Sequence, residues 1–153
     1  MTEQACEVVW RDFAGLTVGE LHDILKLRCD VFIVEQRILC EEIDGRDPET
    51  VHGLVRHDGA VAGTARIFPP GADGAARVGR VATRRDLRGL GLGRTLMREA
   101  VAEITRRFGT VPIVLGAQSH LVDFYVGFGF EAVSDIYDDH GIPHVEMRRP
   151  AVR

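Results

Sequence analysis

The segment Arg88-Gly89-Leu90-Gly91-Leu92-Gly93-Arg94 joins a β-like run to a helical one. Three alternating glycines let a backbone approach a ligand closely, at a cost in chain entropy. The helix that follows presents free N–H groups and a partial positive charge at its start. Strand, glycine loop and helix in that order make a cradle for a pyrophosphate. A P-loop would need Gly-Lys-Ser/Thr at its end, and here Gly93-Arg94-Thr95 stands without the required register. A dinucleotide fingerprint, G-x-G-x-x-G, would need glycine at 94, which is arginine. The pattern that remains is R-x-x-G-x-G: Arg88, Gly91 and Gly93.

The local charge agrees. Residues 77–98 hold seven arginines (77, 80, 84, 85, 88, 94 and 98) and one acid, Asp86, a balance of +6. The whole chain carries 19 Lys+Arg against 23 Asp+Glu, or −4. An arginine island centred on a glycine loop points to an anionic ligand.

The elements that must hold this loop can be read from pattern. Glu7–Phe13 is rich in β-formers and predicts a first strand. Thr17, with Glu20 three residues on, predicts a capping box. Leu21, Ile24, Leu25, Val31 and Phe32 predict a helix reaching towards Glu35, broken once, with Arg28 exposed. Residues 41–49 are polar and carry Gly45 and Pro48, so a loop is expected. His52–His57 and Ala60–Phe68 flank Asp58-Gly59, a strong hairpin signal. Arg77–Thr83 predicts the strand before the glycine loop, and apolar Leu92, Leu96, Met97, Ala100, Val101 and Ile104 the helix after it. Val111–Leu115 predicts a buried strand parallel to 77–83. A short helix over 120–126 and strands over 130–137 and 144–149 complete an α/β (α+β) chain.

At 153 residues, the sequence is expected to form a single domain, 1–153. Hydrophobic residues at 45% and charged residues at 27% exclude a disordered or fibrous chain. No apolar run approaches the roughly 18 residues of a membrane span, and no leader pattern opens the chain. The negative balance argues against nucleic acid as a partner. Cys6, Cys29 and Cys40 are odd in number with no C-x-x-C spacing, which suits reduced thiols in the cytoplasm. The six histidines offer no zinc-ligand spacing, so no metal is expected.

The glycine loop resembles motif A, Q/R-x-x-G-x-G/A, of the GNAT superfamily of acyl-CoA-dependent N-acyltransferases. Leu27–Gln36, Glu42–Gly45, Gly79–Val81, Leu115–Gln118, His120–Phe130 and Gly141–His144 are similar to its ElaA-like branch. Together they cover nearly the whole chain, in order. The resemblance implies the GNAT fold, a mixed sheet of about six to seven strands flanked by about four helices. It implies acetyl-CoA, or a short acyl-CoA, as co-substrate and a small-molecule or peptide amine as acceptor, with no membrane partner. A homodimer is compatible with it.

The same resemblance implies roles for residues. Val81, Ala82 and Thr83 would offer backbone groups to the pantetheine and thioester. Arg88, Gly89, Leu90, Gly91, Leu92, Gly93 and Arg94 would hold the pyrophosphate. Gln118 and Phe124 would meet the pantetheine arm. Tyr125 would protonate the leaving thiolate as general acid. The amine must also lose a proton, a step of about 3.4 pK units for a lysine-like amine at pH 7. No acid lies on 78–83, where some members of the superfamily place a glutamate. Glu35, Asp44, His52 and His144 are the candidates for the base, with Glu35 and Asp44 the preferred two. Residues 41–49 hold five acids and 131–139 four, and both segments are expected to attract a cationic amine. A CoA-binding sensor or scaffold without turnover is the alternative. A nucleic-acid binder fits poorly, because no aromatic interleaves with the arginines.

Overall fold

The structure, a computed structural model, describes residues 7–151. Its order is β1 (Val8–Asp12), α1 (Val18–Arg28), β2 (Val51–His57), β3 (Ala60–Phe68), β4 (Ala76–Thr83), α2 (Leu92–Phe108), β5 (Ile113–Gln118), α3 (Val122–Val126), β6 (Glu131–Ala132), β7 (Tyr137–Asp139) and β8 (Ile142–Arg149). The first four strands form an antiparallel meander, and the sheet continues β4-β5-β8-β6, with β7 also on β8. Cys6 lies outside the described residues. No helix among those described is long and apolar enough to cross a membrane.

Local signals account for much of this. The Thr17 hydroxyl accepts the Glu20 amide at 3.0 Å, and the Glu20 carboxylate accepts the Thr17 amide at 2.9 Å, closing the expected capping box. Asp58 and Gly59 both take positive φ, 52° and 82°, as a tight hairpin between β2 and β3 requires. After Arg28 the first helix continues as π-helical turns, Cys29–Glu35, so its expected break is a change of winding.

The structure has eight strands and three α-helices, where about six to seven strands and about four helices were expected. The extra strand arises inside 130–137. There the Ser134 hydroxyl, not a main-chain carbonyl, accepts the Glu146 amide at 2.9 Å, which interrupts the ladder between β6 and β7. The missing helix is the π-helical continuation of α1.

Two apolar layers cover the sheet. On one face Met97, Ala100 and Ile104 of α2 and Tyr125 of α3 pack on Val78, Ile113, Leu115, Ala117, Val145 and Met147. On the other, Ile24, Leu27 and Val31 pack on Leu54, Val61 and Ala82. A bulge in β4 decides which residues reach which layer. Thr64 pairs with Ala82 and Arg66 with Gly79, so Arg80 and Val81 stand opposite the single residue between Thr64 and Arg66. The extra residue inverts the alternation: Ala76 and Val78 face α2, and beyond the bulge it is Val81 that does so while Ala82 faces α1.

Arg28 is not exposed as expected; it is 1% exposed. It follows Ile24 by one turn and so lies on the buried stripe of α1. Its guanidinium is satisfied by Glu42 and Asp47, brought in from the 41–49 loop.

Candidate active site

Strands β4 and β5 are parallel but pair only at Ala76–Ile113 and Arg77–Val114. Beyond those two pairs they diverge like a fork. The opening is a cleft of about 1000 Å³, bounded by Val81, Ala82 and Thr83 on one prong and Leu115 and Gln118 on the other, with Tyr125 at its edge. A second hollow of about 410 Å³ adjoins it over Gly89, Gly91, Gly93 and Arg94.

The bulge shapes the first prong. Arg80 takes φ 50°, a left-handed conformation that costs an L-residue energy. Its Nε donates to Glu42 at 2.7 Å, which holds the side chain in that place. A bulge leaves one residue outside the ladder, so its amide can turn into the fork.

The geometry of the glycine loop is compatible with the pyrophosphate cradle expected from sequence. Gly91 is the N-cap of α2 at φ 79°, and no side chain caps the helix there. A Cβ at Gly89 or Gly91 would meet nothing within 4 Å, so the loop borders open space. The first turn of the helix carries no acid. Its amides therefore stand free with the positive end of the helix dipole behind them. Leu92 contributes only its amide, because its side chain is buried with Leu96. Leu90 is 63% exposed and packs on nothing in the core.

Phe124 stands at the junction of the two hollows, and Gln118 lines the larger one. The Phe124 ring lies edge-on to Tyr125, with centroids 5.1 Å apart, and 3.9 Å from where a Cβ on Gly93 would be. Gln118 donates from Nε2 to the Gln36 side chain at 3.0 Å, tying β5 to the end of the π-helical segment.

Tyr125 is 8% exposed and flanked edge-on by Phe124 and Phe130. Burial pushes its phenol up to about 12. It stays protonated at every working pH and donates a hydrogen bond readily. Full transfer of its proton to a thiolate of ordinary basicity, near ~8.5, is therefore uphill.

Arg88 does not point its guanidinium at the loop amides. It forms a two-pronged ion pair with Glu35, one prong at 2.8 Å, and also donates to the Thr83 carbonyl at 3.0 Å. Hydrogen bonding from Arg88 holds the Glu35 carboxyl below the usual carboxylate range, against the opposing effect of burial. Asp44 is gripped by Arg66 at 3.0 and 2.6 Å, which holds it far below the usual range despite partial burial. Of the two preferred base candidates only Asp44 lines the cleft; Glu35 lies behind Arg88, and in each an arginine stabilises the ionised form.

The acidic loop is largely neutralised from within. Arg28 donates to Glu42 at 2.8 Å and to Asp47 at 2.8 Å, and Arg66 to Asp47 at 2.9 Å. Burial opposes ionisation of Asp47, yet Arg28 and Arg66 hold its carboxyl below the usual range. Three arginines (28, 66 and 80) balance three acids (42, 44 and 47), so this wall attracts a cation weakly. The expectation drawn from five acids in 41–49 is corrected accordingly. The 131–139 segment keeps exposed carboxylates at Asp135, Asp138 and Asp139. The arginine partners were missed from sequence; Arg28 falling on an otherwise apolar stripe was the available signal.

His52 is fully buried, with Nε2 donating to the Asp47 carbonyl at 3.0 Å, and burial pushes its imidazole down. It does not line the cleft. His144 does, with Nδ1 2.8 Å from the Ile142 carbonyl. Cys29 and Cys40 are free thiols. Among the described residues no three His, Cys, Asp or Glu side chains gather as metal ligands.

Comparison with known proteins adds a frame. A family model described as an acetyltransferase (GNAT) domain matches residues 21–150. The ElaA protein of Escherichia coli K12 is 36% identical over 151 residues, covering 95% of this chain and 99% of its own. A UPF0039 protein of Mycobacterium tuberculosis is 41% identical, covering 98% and 95%. The crystal structure of an acyl-CoA N-acyltransferase from Pseudomonas aeruginosa superposes with a TM-score of 0.90 at 36% identity, over 95% of this chain and 99% of that one.

Proposed function

The chain belongs to the GNAT acetyltransferase family, and from that premise we propose that it moves an acetyl or short acyl group from CoA to a primary amine by direct attack in a ternary complex. The observation that carries this reading is the fork between β4 and β5 running into the uncapped, glycine-led start of α2. A strand edge freed of its neighbour can hydrogen-bond an extended pantetheine arm. The helix start can take the pyrophosphate.

When bound, acetyl-CoA supplies the acyl group as an activated thioester. The residues of this chain bind it, polarise it and protect the leaving group. Main-chain groups of Val81, Ala82 and Thr83 line the arm, and an amide turned inward by the β4 bulge donates to the thioester oxygen as charge develops there. The amides of Gly89 to Arg94 hold the pyrophosphate, Arg94 adding charge. Arg88 acts at one remove, fixing the strand end through the Thr83 carbonyl. Gln118 and Phe124 border the arm. Tyr125 donates a hydrogen bond to the departing sulfur, which lowers the barrier without complete proton transfer. Glu35 and Asp44 position Arg88 and Arg66 and do not act as bases.

A cytoplasmic setting goes with this reading, since Cys29 and Cys40 are free thiols, the state that compartment maintains. The experiment is a pair of measurements. Acetyl-CoA should raise the melting temperature by linkage, and free thiol should appear when an amine panel is added. Stabilisation with no thiol release from any amine would favour a CoA-binding module instead.

A further inference from the structure

We propose that His144 is the catalytic base, its Nε2 taking a proton from the incoming ammonium group. The inference rests on the acyltransferase reading and deepens it. Three observations carry it: the face on which His144 stands, the hydrogen bond that fixes its tautomer, and the engagement of most of the other charged groups in the cleft.

His144 pairs in register with Gln118, and Gly116 pairs with Glu146. Paired residues on neighbouring strands project from the same face. The alternate pairs, Ala117–Val145 and Leu115–Met147, are buried under α2 and α3. His144 therefore stands on the opposite face of the fork from Tyr125. A groove crosses that face. Its floor is open at Gly79 of β4, where a Cβ would meet nothing within 4 Å. At Gly116 of β5 the Tyr137 hydroxyl lies 2.9 Å from the place a Cβ would occupy. An amine entering along this groove meets the thioester from the His144 side, while the sulfur leaves on the Tyr125 side.

The tautomer follows from one contact. The Ile142 carbonyl can only accept, so Nδ1 of His144 carries the proton and donates at 2.8 Å. In the neutral ring Nε2 then bears the lone pair. The Tyr137 ring stacks on the imidazole at 6.0 Å between centroids and 30° between planes, which fixes the ring's orientation.

Most charged groups around His144 are otherwise engaged. From β5 it faces Gln118, bonded to Gln36. From its own strand, two residues on, Glu146 is ion-paired with Arg77 of β4. From β7 come Tyr137 and Asp139, the latter bonded to His140 at 2.6 Å. Across the cleft Glu42 and Asp44 are each held by arginine, and Glu41 is an exposed carboxylate on the rim. His120 and His140 also border the cleft, and both are exposed. His144 is the half-buried imidazole whose Nε2 is left without a partner by the Nδ1 hydrogen bond.

The step balances. Nε2 accepts one proton from R–NH3⁺. The freed nitrogen lone pair forms the C–N bond at the thioester carbon, and the C–S bond breaks. The nitrogen sheds its second proton as the thiolate gains one, and the imidazolium returns its proton to water. The net products are amide, CoA thiol and one proton.

The test compares His144→Gln with the wild type on two amines of similar shape, ethylamine and the weakly basic 2,2,2-trifluoroethylamine, alongside a broad amine panel. The expected result is a loss of about 100-fold in kcat/KM on the basic amine, little change on the weakly basic one, and an unchanged thermal shift with acetyl-CoA. His140→Gln should retain activity on both. Nitrogen-15 NMR of the neutral ring should show Nδ1 protonated and Nε2 bare. An equal response of both amines to His144→Gln, a loss that follows His140, or an Nε2-protonated ring would overturn the assignment. Wild-type protein that acylates no amine at all would overturn the acyltransferase reading itself.

Discussion

Arg88, at the entrance to the glycine loop, is ion-paired with Glu35, 53 residues earlier at the end of the π-helical segment. The same guanidinium donates to the Thr83 carbonyl. One side chain thus joins the end of the π-helical segment to the strand end that leads into the glycine loop. Gln36 repeats the link on the other prong through Gln118.

Glu35→Gln keeps the shape and removes the charge. Because the pair is partly exposed, stability should change by less than about 1 kcal/mol. KM should nevertheless rise for both the acyl donor and the amine, since both walls lose a common anchor. Steady-state kinetics with each substrate varied in turn would show it, and a change confined to kcat would count against it.

Gly91 should tolerate no side chain. At φ 79° even alanine is strained, and Gly91→Glu also places a carboxylate where the pyrophosphate would sit. Acetyl-CoA should no longer raise the melting temperature of that variant. Normal stabilisation would move the pyrophosphate elsewhere.

Tyr125→Phe should lower kcat by about 100-fold, at the low end of what a positioned proton donor contributes, with little effect on acetyl-CoA binding. Since burial pushes the phenol up to about 12, the wild-type rate should show no downturn from Tyr125 up to about pH 10. A basic limb near the ordinary tyrosine value of ~10 that vanishes in Tyr125→Phe would contradict the burial argument.

The buried network makes a stability prediction. Arg28→Met leaves Glu42 with Arg80 alone and Asp47 with Arg66 alone and should cost about 3 kcal/mol, the low end for a broken buried ion pair. The network also sets a pH dependence. Asp44 and Asp47 have folded-state values below their unfolded ones, so their contribution is full above the ordinary aspartate value of about 3.9. It is lost as pH falls further, through the folded values. Melting temperatures should therefore drop steeply below pH 4, and less steeply in Asp44→Asn.

How far the sequence could be read depended on range. The Thr17 capping box, the Asp58-Gly59 hairpin and the glycine loop before α2 are local, and their residue types dictate their geometry. The fate of the 41–49 acids is not local. Their partners Arg28, Arg66 and Arg80 are up to 38 residues distant, and pairing turns an apparent cation trap into a neutral wall. The β4 bulge has no mark in residue type, because Arg80 at positive φ is sustained by Glu42. Asp44 lines the cleft and Glu35 does not, and each is paired with an arginine distant in sequence that residue type alone does not reveal. Likewise β6 and β7 separate because of one hydroxyl, that of Ser134.

The central claim, acyl transfer from CoA to an amine at the β4–β5 fork, is tested most directly by incubating the protein with acetyl-CoA and an amine panel and measuring free CoA thiol and acylated amine together. Thiol and amide should appear in equal amounts with at least one primary amine, and both should vanish with Gly91→Glu. Stabilisation by acetyl-CoA with neither product from any amine would contradict the account.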